Sequence, residues 1–306
     1  MKSKKGLIIG GMAGLGVLII AAIVVLVILL KGGTARDAYR VIKVSKIDGS
    51  TYISRGDITD LEAYEGMVLQ SGDTVSVDGN STLVLILDED KICYVEQNTE
   101  LKIIAEGTVN ASQTKIELVS GAFTLDVQNK LNDDSDFIVT TPNSTMAIRG
   151  TVVRTETGLL NGRRYSRTSL FKGKTDLSKV SKGANVEDHN MDAGDEVIIG
   201  EDGESTQVKE VELSTLSQTT IENLIDIHQE DPLEIFSEKE LKEEKENKEK
   251  DVYTVEFIYN GNVFATQDVK RGSTIVEPTL APSDKGKWYV NLSSPVKTDL
   301  QIYWKE

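Results

Sequence analysis

The chain has 306 residues, 39% of them hydrophobic and 27% charged, with 34 basic against 49 acidic side chains and a formal net charge of -15. That composition is globular and long enough for two modest domains, and its acidity argues against nucleic-acid binding, which needs a basic face to neutralise phosphates. One cysteine, Cys93, and two histidines, His189 and His228, exclude an intramolecular disulfide and any multi-cysteine metal site.

The first element is a membrane segment. Residues 6–30 are 25 consecutive uncharged, mostly apolar residues, about 37 Å as a helix against a bilayer core of about 30 Å. A cleaved signal peptide would have a shorter apolar core and a small-x-small site. Lys2, Lys4 and Lys5 precede the segment, so the positive-inside rule places residues 1–5 in the cytoplasm and the rest outside. The expectation is a single-pass cell-membrane protein without a cytoplasmic domain. Gly6, Gly10 and Gly14 fall at spacing four and would let a second helix approach closely, as in a homodimer. Beyond the three lysines, 31 basic and 49 acidic residues remain, so the excess acid lies in the ectodomain.

Residues 31–65 read as membrane-proximal lead-in strands and 66–204 as an all-β domain. Glycines punctuate short alternating runs such as Ile116, Leu118 and then Phe123, Leu125, Val127, each of which places one face on a core. Thr82 to Leu87 reads as a central strand covered on both sides. Little helical periodicity intervenes, which points to a sandwich, roll or short solenoid. Residues 205–251 read as a helix followed by a charged stretch, a disordered linker in preference to a solvated helical spacer. Leu216, Ile221, Leu224 and Ile225 recur at helical spacing up to Pro232, whereas 237–251 is nearly all Glu and Lys with Leu241 as its one large apolar residue before the final Asp251. Residues 252–306 form a small β module: from Tyr253 onward it holds eight of seventeen aromatics and both tryptophans, and Asn260-Gly261 marks a two-residue hairpin turn.

Candidate sites are few. Arg163, Arg164 and Arg167, with Tyr165 among them, form a dense basic cluster that could grip an anionic wall polymer or lipid head, or be ordinary charges on a hairpin. Arg149 beside Gly150 could contact an anion, although a turn in which glycine answers a backbone need is the preferred reading. Asn132 to Asp136 lacks calcium-loop spacing and reads as a polar turn. Trp288, Tyr289, Tyr303 and Trp304 could stack on sugars but are needed first as core. No phosphate loop, zinc-protease helix or serine elbow is present, so the expectation is a non-enzymatic protein without cofactor or metal.

The strand pair around "GMVLQSGDTVSV", then "STLVLILDEDKICYVEQNTELKI", "IELVSGAFTLDV" and "DFIVTTPNSTMAIRGTVVRTE", with later pieces Phe171 to Lys174 and Met191 to Val197, resemble the FecR-like domain of bacterial envelope proteins. Thr141-Pro142 and Ile148-Arg149-Gly150-Thr151 are the most specific part. The resemblance implies an extracytoplasmic all-β domain, often on a single-pass protein, with a binding or signal-transducing role and no catalytic residues. The segment "YTVEFIYNGNVFATQDVKRGSTIVEPTLAPSDKGKW", ending in Asp299 to Tyr303, is similar to internalin-type B-repeats of Gram-positive surface proteins, which implies a β-grasp-like spacer or adhesion module. Together these lead to a membrane-anchored envelope protein that binds a protein or anionic cell-wall ligand as a scaffold. The alternative is the sensing subunit of a transmembrane signalling pair that regulates a sigma factor or kinase through a partner.

Overall fold

The structure is a computed structural model that describes residues 40–108, 110–160, 162–179, 188–201 and 206–306. The expected membrane helix at 6–30, with Gly6, Gly10 and Gly14, lies outside them. Among the described residues no helix is long and apolar enough to cross a membrane.

The alternating runs form seventeen joined strands. First come β1 (Ile42–Asp48), β2 (Thr51–Arg55), β3 (Ile58–Glu62), β4 (Val68–Leu69), β5 (Thr74–Val77), β6 (Thr82–Leu87), β7 (Lys91–Val95), β8 (Thr99–Gly107) and the long β9 (Ser112–Val127). Then follow β10 (Asp136–Thr140), β11 (Ser144–Ala147), β12 (Val152–Leu160), β13 (Arg163–Lys172), β14 (Lys174–Lys179), β15 (Asp188–Asp192), β16 (Asp195–Gly200) and β17 (Thr206–Glu210). They build two ladders that share β9. The front ladder runs β4-β1-β6-β7-β9-β12-β13-β16-β17. The back ladder runs β3-β2-β5-β8-β9-β10-β11-β14-β15, and only its β9–β10 pair is parallel. Leu83, Leu85, Phe123 and Val153 of the front meet Ile53, Leu101, Ile116 and Val139 of the back in one apolar core. This is a sandwich or roll in which the chain alternates between layers.

The two runs expected on either side of Gly121 are one continuous strand. Their core-facing apolar positions change from even (Ile116, Leu118) to odd (Phe123, Leu125, Val127), because the register slips at a bulge opposite Glu100 and Leu101. Before the bulge β9 pairs with β8 and β10; after it, with β7 and β12. The sandwich also starts earlier than residue 66, since β1 lies between β4 and β6 and β2 lies between β3 and β5. Arg40 is anchored to it through Asp88 at 2.7 Å. Thr82 to Leu87 is central, as expected, but only Leu83, Leu85 and Leu87 are fully buried.

A helix pair covers the outer face of the front ladder. Helix α1 (Gln218–Glu230) starts where Ser217 accepts a hydrogen bond from the Thr220 N–H, and buries Ile221, Leu224 and Ile225. Within the charged stretch, where composition favours a disordered linker over a helical spacer, the structure has helix α2 (Glu238–Lys248), opened by a capping box between Ser237 and Glu240. Pairs such as Lys242 with Glu238 support it along its exposed side. Its one apolar residue is enough to dock it: Leu241 is completely buried against the cluster that includes Val152, Phe171, Ile221 and Leu224, a burial that contributes about 2 kcal/mol.

The carboxyl-terminal module forms a four-stranded sheet, ordered β19-β18-β21-β20, from β18 (Val252–Tyr259), β19 (Asn262–Lys270), β20 (Lys287–Trp288) and β21 (Leu300–Lys305). Asn260 and Gly261 both have positive φ, 50° and 76°, as the expected hairpin turn requires. The first and last strands of the module pair in parallel. Phe257, Trp288 and Trp304 pack edge to face, with ring centroids 5.0 and 5.1 Å apart.

Residues 40–306 form one compact unit, so the module does not stand apart from the sandwich. The turn after β5 carries the contact. The Gly79 N–H donates to the Tyr289 carbonyl at 3.0 Å, and the Asn291 N–H to the Gly79 carbonyl at 3.1 Å. Asn80 and Asn98 donate to the carbonyls of Ser294 and Gln301 at 2.9 and 2.8 Å, and Lys297 pairs with Asp48. A side chain at Gly79 would crowd this approach, since a Cβ there would lie 3.1 Å from the Tyr289 carbonyl oxygen.

Candidate functional site: a cleft between sandwich and module

Even-numbered side chains of β12 and odd-numbered ones of β13 point out of the front ladder, because strand side chains alternate between faces. That places a chain of alternating charges across the sheet. Arg154 donates to Glu96 at 2.8 and 3.1 Å and to Glu156 at 2.5 Å. Glu156 also accepts the Tyr165 hydroxyl. The Arg167 guanidinium lies 5.8 Å from the Tyr165 ring centre and 3.7 Å from Glu196, which Lys209 and Ser169 also contact. Glu96 ties this ladder to the helices, since Thr220 and Ser217 hydroxyls donate to it. Burial disfavours the charge on Arg154, but Glu96 and Glu156 outweigh it and hold the guanidinium protonated beyond its ordinary range. Burial would raise the Glu156 carboxyl, yet Arg154 and the Tyr165 hydroxyl bring it below its usual value.

The ladder opens into a cleft of about 920 Å³ bounded on one side by Asp78, Asn98, Gly121 and Glu156 of the sandwich. The module supplies the other wall with Glu256, Asp299, Gln301, Tyr303 and Lys305. The four aromatics of the module thus divide. Trp288 and Trp304 pack in its core, whereas Tyr289 and Tyr303 line the cleft, and the Lys305 and Lys287 amines lie 4.6 and 5.0 Å from the Tyr289 ring centre. Among the described residues no group of His, Cys, Asp or Glu is arranged to hold a metal.

A second buried acid lies beneath α1. Asp126 of β9 is 1% exposed, and among the described residues only the Gln128 side chain approaches its carboxylate as a donor. Burial first, then the nearby Asp231, raises its pKa from 3.8 to about 6. The folded state therefore binds this proton more tightly than the unfolded chain. Its stabilising effect is complete below about pH 3.8 and is lost as pH rises through about 6. Asp126→Asn is expected to raise stability at pH 7 to 8 by about 1–3 kcal/mol with little gain near pH 4, read as Tm against pH. An equal shift at both ends of that range would show that the carboxylate charge is not the cause.

Strand alternation puts Arg163 and Arg167 of the expected basic cluster on the outward face of β13 and Arg164 on the other. Arg163 and Arg164 are exposed at the start of β13, the Arg164 N–H donates to Glu201, and Arg167 is engaged by Glu196 and Tyr165. Arg149 is exposed on a turn 14 positions before Arg163 in the chain. Gly150 there has φ of 103°, and a Cβ would lie 3.2 Å from the Lys130 Cα, so the glycine answers a close backbone approach. Of these four arginines, Arg167 joins the charge ladder, and none lines the cleft. In the polar turn Asn132 accepts the Asp134 N–H, His228 accepts the Leu233 N–H beyond α1, and Cys93 is buried with its thiol pKa raised by desolvation. No sequence motif announces the cleft, because its walls come from segments some two hundred residues apart, such as Asn98 and Gln301.

No curated protein matches the chain. Two crystal structures of a proposed anti-sigma factor from Parabacteroides distasonis ATCC 8503 are similar at 11% identity, with TM-scores of 0.38 and 0.39, and cover 76% of this chain and 99% of that chain. Residues 73–176, from just before β5 into β14, match the model of the FecR protein family, so the central part of the sandwich is FecR-like.

Proposed function

We propose that the chain is a non-enzymatic, membrane-anchored receptor of the bacterial envelope, with helix 6–30 as its anchor and the FecR-like sandwich outside the cell. The observation that carries this reading is the FecR match over residues 73–176, joined to a sequence whose 25 uncharged residues follow three lysines. The cleft beside the FecR-like sandwich is where a ligand would be read. Occupancy there would be passed on through a partner in or across the membrane, as transmembrane signalling or as assembly on a scaffold; the module's likeness to B-repeats supports a Gram-positive-type surface. Arg163, Arg164 and Arg149 offer a separate exposed anionic-polymer contact, and Gly6, Gly10 and Gly14 a helix-pairing face.

Orientation is tested by single cysteines, since Cys93 is buried and contributes no background labelling. In intact cells a membrane-impermeant maleimide should label Asp134→Cys and should reach Lys4→Cys only after permeabilisation. The reverse pattern, or labelling of neither before lysis, would refute an outside sandwich.

A further inference from the structure

From the cleft's charge and one buried carboxylate, we infer that it is a binding site for a short, positively charged peptide segment of a partner protein. Asp78 is 6% exposed and lines the cleft. Among the described residues its carboxylate makes no hydrogen bond; the Lys305 and Lys287 amines act on it only from beyond ion-pair distance. Enclosed on the protein side and open only to the cleft, it leaves its oxygens to whatever enters there, and a ligand can supply the donors that the protein does not.

The rest of the wall carries an excess of the same sign. Arg154 is already consumed by Glu96 and Glu156, and the remaining lining charges are Asp78, Glu256 and Asp299 against Lys305. Glu256 accepts only from the neutral amide of Gln301, at 3.0 Å, and Asp299 is paired from outside the cleft by Lys250. The cleft is therefore net acidic inside, and its low-dielectric walls focus that field on an entering cation. Its volume, about 920 Å³, is at the upper end for small-molecule sites and accommodates several residues of extended chain. Gln97, Asn98, Gln301 and Tyr303 also line it with amide and hydroxyl groups, which bond to one another and to neighbouring residues and could exchange those bonds for peptide groups, as a simple cation would not.

The inference rests on the reading of the ectodomain as a binding domain, but its test does not depend on membrane orientation. The full chain in detergent is titrated with a dye-labelled heptapeptide carrying three lysines. Binding is expected, and Asp78→Asn with Glu256→Gln should weaken it roughly tenfold or more. Asp133→Asn with Asp134→Asn removes the same charge from an exposed turn outside the cleft and should leave affinity unchanged. Because Asp78 is buried, Glu256→Lys at the half-buried rim serves as a second variant with the same expected loss. A peptide with glutamates in place of lysines should not bind, and spermine should not compete at equal concentration. No binding of the lysine peptide, equal weakening by the two double variants, or full competition by spermine would overturn the inference.

Discussion

Arg154→Ala is expected to destabilise the protein by about 3–5 kcal/mol, a lowering of Tm by about 10 °C. Arg154 is buried between Glu96 and Glu156 and donates to both. Removing it leaves two carboxylates in a desolvated layer, where among the described residues Glu96 keeps the Thr220 and Ser217 hydroxyls and Glu156 the Tyr165 hydroxyl. The cost is that of an unpaired buried charge, larger than the net worth of the pair itself. A variant that neutralises all three, Glu96→Gln, Arg154→Met and Glu156→Gln together, should therefore recover most of the loss. Because Glu96 also receives the cap of α1, the single variant should loosen that helix first, seen as faster amide exchange at Ile221 and Leu224 than in the sandwich core. Loss confined to the sandwich with α1 unaffected would show that the charge ladder does not hold the helix.

Gly121→Ala is expected to cost about 2–4 kcal/mol. Gly121 has φ of 84° where β9 leaves one ladder for the other, and a Cβ there would lie 2.5 Å from the Thr99 Cα and 2.6 Å from the Asn98 carbonyl oxygen. Those are backbone atoms and cannot swing aside. Gly56 separates conformation from crowding, because it has φ of 58° with nothing within 4 Å of the place a Cβ would take. Gly56→Ala should cost only about 1 kcal/mol. Equal losses in urea unfolding would mean that the close passage at Gly121 is not what the glycine serves.

The elements that local chemistry determines are legible in the sequence. The Asn260-Gly261 hairpin and the alternating runs of the sandwich appear where side-chain pattern and turn chemistry place them. The change of phase between Leu118 and Phe123 is also in the sequence. A turn and a bulge both put glycine between two alternating runs, and only the shared neighbours of β9 decide for the bulge. The charged segment is helix and not linker because composition averages over a helix, whereas docking needs a single buried contact at Leu241. Of the candidate site, the sequence singles out Tyr289 and Tyr303 of the cleft and Arg167 of the charge ladder, but not their assembly. Arg163 and Arg167 share one face of a strand and Arg164 lies on the other, while Glu96, Arg154 and Thr220 meet only after three separate segments fold. Docking of the module likewise depends on main-chain atoms of Gly79, Tyr289 and Asn291, which no side-chain pattern reports.

The most direct test of a receptor cleft uses the intact protein in native membranes, with a photo-crosslinking amino acid placed at Tyr303, which lines the cleft, or at Val208, which is exposed on β17 outside it. Light should join position 303 to one partner protein, with the adduct lost on Glu256→Lys and absent from position 208. No adduct from position 303, or the same adducts from both positions, would contradict the account.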